Sequence, residues 1–470
     1  MLFNSATFLV FFAAFYLVYT TVPSWNAKKW VLLLAGLVFY GWFNPYYIGL
    51  LFLSALIDHL AVQVIATSRD EKLRRIALTA CVVGNLAILC VFKYYDFFIG
   101  NVETILAVLG LRISAPVLGL LLPIGISFYT FESICYAVDV HRGTARPAKS
   151  FFDLISFISF FPHLVAGPIV RARDFLPQLE TPHLPTQRQR IEGLIWIVGG
   201  YFMKMGVADN LALSVDKVFS APASVSLPEA WLGAIYFSFQ IFGDFAGYTL
   251  IARGLAKLMG FELCANFNFP YLAAGFSDFW KRWHISLSSW LRDYLYIPLG
   301  GNRKGLARTY LNLAITMLLG GLWHGASWTF VAWGGLHAAY LIIEHALRNR
   351  LRPSATPSPW LTLLMIPVTF IAVTLAWVFF RAATFSDAME VLAAMFGLSG
   401  PVFAIPDKSI LKNGIWLLPV AAYFAWGYAR ERNWRMTVAP LPLQAAGLAS
   451  LAFVTLLCRG TSDAFIYFQF

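Results

Sequence analysis

Residues 309–346 read TYLNLAITMLLGGLWHGASWTFVAWGGLHAAYLIIEHA, a predominantly apolar stretch with Arg308 before it and Arg348 after it. A bilayer core takes roughly 20 apolar residues per helical crossing, so the stretch holds two. Basic residues of membrane proteins collect in cytoplasmic loops, which puts Arg308 and Arg348 on one side and sends the chain out and back between them. His324 falls near the apex. The rising limb from Thr309 to Trp323 is 15 residues, about 22 Å at 1.5 Å per residue and short of a core of about 30 Å. That length predicts a histidine buried in the membrane domain. Gly320, Gly321 and Gly325 permit close backbone approach, and Trp323 and Trp328 supply walls for a cavity.

The same alternation of apolar runs and basic clusters extends along the chain. Of its 470 residues, 59% are hydrophobic, 17% aromatic and only 13% charged, far from the composition of a soluble domain. Backbone groups in hydrocarbon must be satisfied internally, and the Leu, Ala and Phe richness of the runs points to helices rather than a barrel. The expected architecture is all-α, a polytopic membrane bundle formed by a single domain over residues 1–470. Basic clusters at Lys28 and Lys29, Arg69 to Arg75, His141 to Lys149, Arg171 to Arg190, Arg253 to Arg308, Arg348 to Arg352 and Arg430 to Arg435 mark the cytoplasmic face. Between them, residues 31–66 form a hairpin turning at Asn44-Pro45, and residues 76–138 a second turning near Asn101 to Ser114. Residues 151–170, broken by Gly167-Pro168, carry basic clusters on both flanks and read as a re-entrant or in-plane segment. A further hairpin spans 191–251, with its outer turn near Ala221 to Leu227. The stretch Phe261 to Arg308 is too charged to cross, so it is expected at the interface or as amphipathic pieces folded into the bundle. With further crossings near 359–380, 414–429 and 441–457, the total is about twelve, both termini lying outside. The first apolar segment lacks a basic leader and a small-residue cleavage site and is expected to stay as a span.

Lys and Arg number 35 against 24 Asp and Glu, a net charge of +11. Positive-inside bias accounts for the excess, and no basic stretch carries the aromatic interleaving of a nucleic-acid groove, so nucleic acid is not an expected partner. The five cysteines form no CxxC pair and read as packing residues. No HExxH, phosphate loop, dinucleotide fingerprint or serine nucleophile elbow occurs. Neither a metal site nor a permanently bound cofactor is expected.

Ionisable groups inside membrane segments are costly and are functional candidates by default. A neutral imidazole at His324 has the pKa range to take a proton from an attacking hydroxyl; a core histidine bonded to a backbone carbonyl fits the bare residue equally well. His284, in FSDFWKRWHISLSSWLRDYLYIPLGGNRKG at 276–305, reads more simply as a capping or pairing residue. Trp283, Trp323 and Trp328 are candidate lining residues. Lys281, Arg282, Arg292, Arg303 and Lys304 are candidate partners for the phosphates of a coenzyme A or carrier-borne donor, although positive-inside bias explains any one of them. Asp58, Glu132 and Asp244 fit either a polar pathway or hydrogen bonds within the bundle.

Five stretches carry a resemblance: LLPIGISFYTFESICYAVDVHRG from Leu121, FFPHLVAGPIVRA from Phe160, FWKRWHISLSSWLRDYLYIPLGGNRKG from Phe279, LLGGLWHGASWTF from Leu318 and the terminal FIYFQF. In this order they make the chain similar to the bacterial membrane-bound O-acyltransferases, and within them to the branch that acetylates exported polysaccharide. The resemblance implies helices around a central tunnel in a multi-pass protein of the bacterial inner membrane. It matches His324 to the family's catalytic histidine and His284 to the upstream member of the active-site pair. It also implies acetyl-CoA or another acetyl thioester as a donor reached from the cytoplasm. The implied acceptor is a hydroxyl of alginate, cellulose or another exported glycan, or of a periplasmic relay protein, with periplasmic acetyltransferase subunits as partners and lipid as surroundings. The chain departs from the family at Gly247-Tyr248-Thr249-Leu250, where relatives read Gly-Tyr-Ser-Asp, and at Ala464, where they often carry proline. A transporter or channel subunit would call for a repeat that is absent here, and D-alanyl transfer to teichoic acid is the alternative within the family.

Overall fold

Short polar side chains mark several helix starts. Ser5, Asp70, Ser150 and Thr384 each accept a hydrogen bond from an amide of the first turn, satisfying donors that a helix leaves open at its N-terminus. In the computed structural model, residues 1–111, 116–165, 167–351, 358–432 and 441–460 are described. They are helical, with no β-strand among them. Part of the expected 101–114 turn, Arg352, the 433–435 end of the last basic cluster, Ala464 and the FIYFQF tail lie outside the described residues.

Five helices are long and apolar enough to cross a bilayer among the described residues: Tyr47–Thr67, Glu71–Val108, Gln187–Phe219, Trp328–Leu351 and Trp360–Arg381. Ala6–Thr21 and Leu443–Leu457 are shorter apolar helices. Their outward positions, Val10, Leu53, Val83, Leu364 and Leu456 among them, are exposed and apolar, a surface suited to hydrocarbon rather than water. The bundle is therefore a membrane bundle, as the composition requires.

Two compact units make up the chain. The first comprises residues 1–194 and 252–264. Helices Trp25–Gly41 and Tyr47–Thr67 form the hairpin expected around Asn44-Pro45. The next limb differs from expectation: the helix runs through Val108, so residues 101–108 are helical and the connection follows them. The helix carries Gly100 in its interior and continues through the polar Asn101, Glu103 and Thr104, Asn101 and Thr104 bonding the carbonyls of Phe97 and Gly100 four residues back. Residues 151–164 are two short buried helices, Phe151–Ile158 and Phe161–Leu164, a broken segment of the kind read from the sequence. One interruption falls at Ser159-Phe160, and helix Phe161–Leu164 ends before Gly167-Pro168, which lies outside any helix. The in-bundle acids of this unit are bonded: Asp58 accepts from Asn85 Nδ2 at 2.8 Å, and Glu132 accepts from the Val170 amide at 2.9 Å with His163 Nδ1 3.0 Å away.

The second unit comprises residues 195–251 and 265–470. It contains the hairpin Leu306–His324 and Trp328–Leu351, drawn together by glycine. A Cβ on Gly321 would lie 2.2 Å from the Phe330 carbonyl, and one on Gly334 2.4 Å from that of Met317, so neither position admits a side chain at this separation. Helices Pro359–Arg381 and Leu417–Glu431 fall where crossings were read, and Phe385–Met395 is an addition. The charged 261–308 stretch breaks into the short helices Phe276–Arg282 and Ile285–Leu291 followed by a π-helical turn at Arg292–Tyr296. These pieces are folded into the unit, with Phe279, Trp283, His284 and Leu287 buried. Asp244 is ion-paired here too: Lys204 Nζ lies 2.7 Å from both Asp209 Oδ1 and Asp244 Oδ1, all three residues buried.

Candidate active site

His324 is the last residue of the 19-residue helix Leu306–His324, about 28 Å long at the usual rise. Extended backbone at Gly325 closes the helix, and a Cβ there would meet the Phe330 ring at 2.2 Å, so the turn carrying His324 packs directly against the returning helix. The histidine is buried, and its helix begins three residues earlier than the limb read from the sequence.

His284 reaches the same place by another route. It precedes helix Ile285–Leu291 with φ 41° and ψ 56°, the left-handed region. A non-glycine residue there costs about 1–2 kcal/mol and persists only where its surroundings fix it. Asn266 fixes it. Its carbonyl accepts from the Ile285 amide at 2.9 Å, and its Oδ1 accepts from the Ser286 hydroxyl at 2.6 Å and amide at 3.3 Å. Asn266 Nδ2 approaches the Thr249 hydroxyl at 3.5 Å, so the Gly247–Leu250 departure keeps a polar contact at this turn.

The two imidazoles, 40 positions apart in sequence, lie with ring centroids 6.3 Å apart, both buried. Aromatic rings enclose them. Trp323, Trp333 and Phe380 stand 5.0, 5.1 and 5.2 Å from His324, each edge to face, and Phe245 stands 4.6 Å from His284 at 90°. Trp377 stacks on Trp333 at 5.6 Å and contacts Trp283 at 5.0 Å. Such pairs add about 0.5–1.5 kcal/mol each beyond burial and give the site rigid, water-excluding walls.

Of the expected lining residues, Trp323 touches both histidines and Trp283 belongs to the enclosing aromatic cluster. Trp328 is not brought to the pair: it is 57% exposed at the start of helix Trp328–Leu351. Trp333, Phe380 and Phe245 were missed, since aromatics in apolar runs carry no mark of the face they occupy. The cations divide as well. Lys281 and Arg292 line a cavity of about 430 Å³ in this unit, together with Trp280, Met317 and Leu341. Arg292 also bonds Asp293 at 2.7 Å. Arg282 is engaged elsewhere, bonded to Asp278 at 2.9 Å and paired with Glu431, and those carboxylates raise its pKa against the opposing effect of burial. Arg303 and Lys304 are exposed and away from the cavity lining. Among the described residues no group of His, Cys, Asp or Glu is placed to hold a metal ion.

The arrangement sets one buried imidazole at a helix end, a second beside it, and in the same unit a cavity lined in part by Lys281 and Arg292. Over 416 residues, 88% of this chain and 81% of the other, the sequence is 39% identical to a probable alginate O-acetylase of Azotobacter vinelandii. It is 37% identical over 399 residues to a peptidoglycan O-acetyltransferase of Helicobacter pylori, covering 79% of this chain and 74% of that one. Similarity to a teichoic acid D-alanyltransferase of Streptococcus thermophilus is lower, 26% over 384 residues, 72% of this chain and 90% of that one. Residues 142–385, which contain both histidines, match the MBOAT family, and the chain belongs to this family, the membrane-bound O-acyltransferases.

Proposed function

We propose that this acyltransferase moves an acetyl group from a thioester donor on the cytoplasmic side of a bacterial inner membrane to a hydroxyl of an exported polysaccharide. The acceptor is a glycan of the alginate type or a periplasmic subunit that relays the group to it. Acetyl rather than D-alanyl transfer is favoured because the relatives at 37–39% identity are acetyl-transfer proteins, against 26% for the D-alanyl one.

The reading is carried by the pairing of His284 and His324 inside an aromatic enclosure. In the proposed reaction the acceptor oxygen attacks the thioester carbonyl carbon. His324 takes the hydroxyl proton as the C–O bond forms; when the C–S bond breaks, the same proton passes to the departing thiolate, so no proton is gained or lost overall. His284 holds the reacting groups beside His324. The indole and phenyl walls exclude the water that would hydrolyse the donor. Lys281 and Arg292 at the cavity meet the donor's phosphates.

Replacing His324 with Ala in the producing cell tests this. Polymer-bound acetyl should vanish while polymer secretion continues; acetylated polymer from the variant overturns the assignment, and loss of secretion supports a transport role.

A further inference from the structure

Buried polar groups in folded proteins are almost always hydrogen-bonded, so each exception asks for a reason. His337 is such an exception. It is fully buried on helix Trp328–Leu351, and neither ring nitrogen has a hydrogen-bond partner among the described residues. The indole N–H groups of Trp280 and Trp333, whose rings lie 5.1 and 4.8 Å from the imidazole, are also unpartnered.

Position gives the reason. Trp333, His337, Leu341 and His345 recur every four residues and so share one stripe of the helix. Leu341 and His345 line the cavity that holds Lys281 and Arg292, and Trp333 contacts His324. His337 stands between, one turn inward from the cavity wall, with Trp280 as the ring shared by cavity and histidine. From His345 to Trp333 the stripe covers about 18 Å, the reach of an extended phosphopantetheine arm. A neutral imidazole offers one donor and one acceptor, and its acceptor nitrogen can receive the N–H of a secondary amide.

We propose that His337 is a positioning residue for the donor. Resting on the thioester reading above, the inference is that displacement of Trp280 opens the stripe and His337 hydrogen-bonds the donor amide nearest the thioester, holding the acyl carbon at His324. The amide N–H donates to the ring nitrogen that carries no proton. The shared chemistry is phosphopantetheine, whether it arrives as coenzyme A or on a carrier protein.

Equilibrium binding to the detergent-solubilised full chain tests this with S-acetyl-4′-phosphopantetheine, its analogue with ester oxygen in place of that amide N–H, and acetyl-CoA. Wild type should bind the amide form about tenfold more tightly than the ester, the scale of one hydrogen bond whose loss leaves a buried partner unsatisfied. His337→Phe, which refills the aromatic cage, should erase the preference by weakening only the amide form, and His337→Gln should restore it. Equal binding of amide and ester by wild type, or a preference that survives in His337→Phe, overturns the role of His337 and leaves the thioester reading standing. Failure of wild type to bind either acetyl-phosphopantetheine or acetyl-CoA overturns the thioester reading, and this inference with it. If acetyl-CoA binds no better than the bare arm, the donor fits a carrier-borne form.

Discussion

Gly321→Ala is the sharpest probe of how the hairpin holds His324. The added methyl would sit 2.2 Å from the Phe330 carbonyl oxygen, 3.1 Å from its carbon and 3.2 Å from Gly334 Cα. All three are backbone atoms, so no side chain can rotate away. Ordinary contact begins near 3.4 Å, which obliges the two helices to part by about 1 Å within one turn of His324. Misplacing a catalytic group by 1 Å costs on the order of 10²-fold in rate, and overpacking of this kind costs about 1–3 kcal/mol of stability. Gly335→Ala is the matched control. Its methyl meets only Leu318 Cδ2, at 3.7 Å, and alanine is the better helix former by about 1 kcal/mol. Acetyl transfer by the reconstituted protein, with thermal unfolding of the same preparations, separates the two. Gly321→Ala should fall about 100-fold while remaining folded, and Gly335→Ala should match wild type or melt higher. Equal activities of the two variants would refute the claim that close helix approach positions the base.

Asn266→Ala removes the clamp on the left-handed turn at His284; kcat should drop about tenfold with donor KM unchanged, since groups are misplaced rather than unbound. Unchanged kcat would show that the turn holds itself. Lys204→Met leaves Asp209 and Asp244 buried with their cation removed, which should cost about 3–5 kcal/mol and deplete folded protein; a variant as stable as wild type in thermal unfolding would contradict this. Lys281→Ala with Arg292→Ala should raise the KM for acetyl-CoA, the more so at low salt, whereas Arg282→Ala should act through stability by leaving Asp278 and Glu431 unpaired. A larger KM effect from Arg282 than from the other two would reverse the assignment of the cavity.

The 309–346 hairpin was legible because its information is local: one apolar stretch long enough for two helices, bracketed by Arg308 and Arg348, with glycines where the chain turns back. The pairing of His324 with His284 was not legible from the residues alone. It depends on a left-handed turn held by Asn266, and a histidine within a charged stretch looks the same whether it caps a helix or faces another imidazole; only the family resemblance marked it. The aromatic walls were hidden for a related reason. In runs such as AWVFF at 376–380 nearly every position is apolar, so periodicity does not separate Trp377 and Phe380, which face the site, from neighbours that do not. Charge alone likewise could not separate Arg282 from Lys281 and Arg292, because Glu431 pairs with Arg282 across 149 positions of sequence. Helix extents near residue 108 escaped because polar side chains can bond back to their own helix.

The central claim is that the imidazole at 324 takes the acceptor's proton inside the bundle. Its most direct measurement is single-turnover acetyl transfer by purified, reconstituted protein, comparing wild type with His324→Asn at matched thermal stability. The account predicts a loss of at least about 10²-fold in the chemical step, the low end of what one general base supplies, with donor affinity retained. Transfer by His324→Asn at the wild-type rate would contradict it.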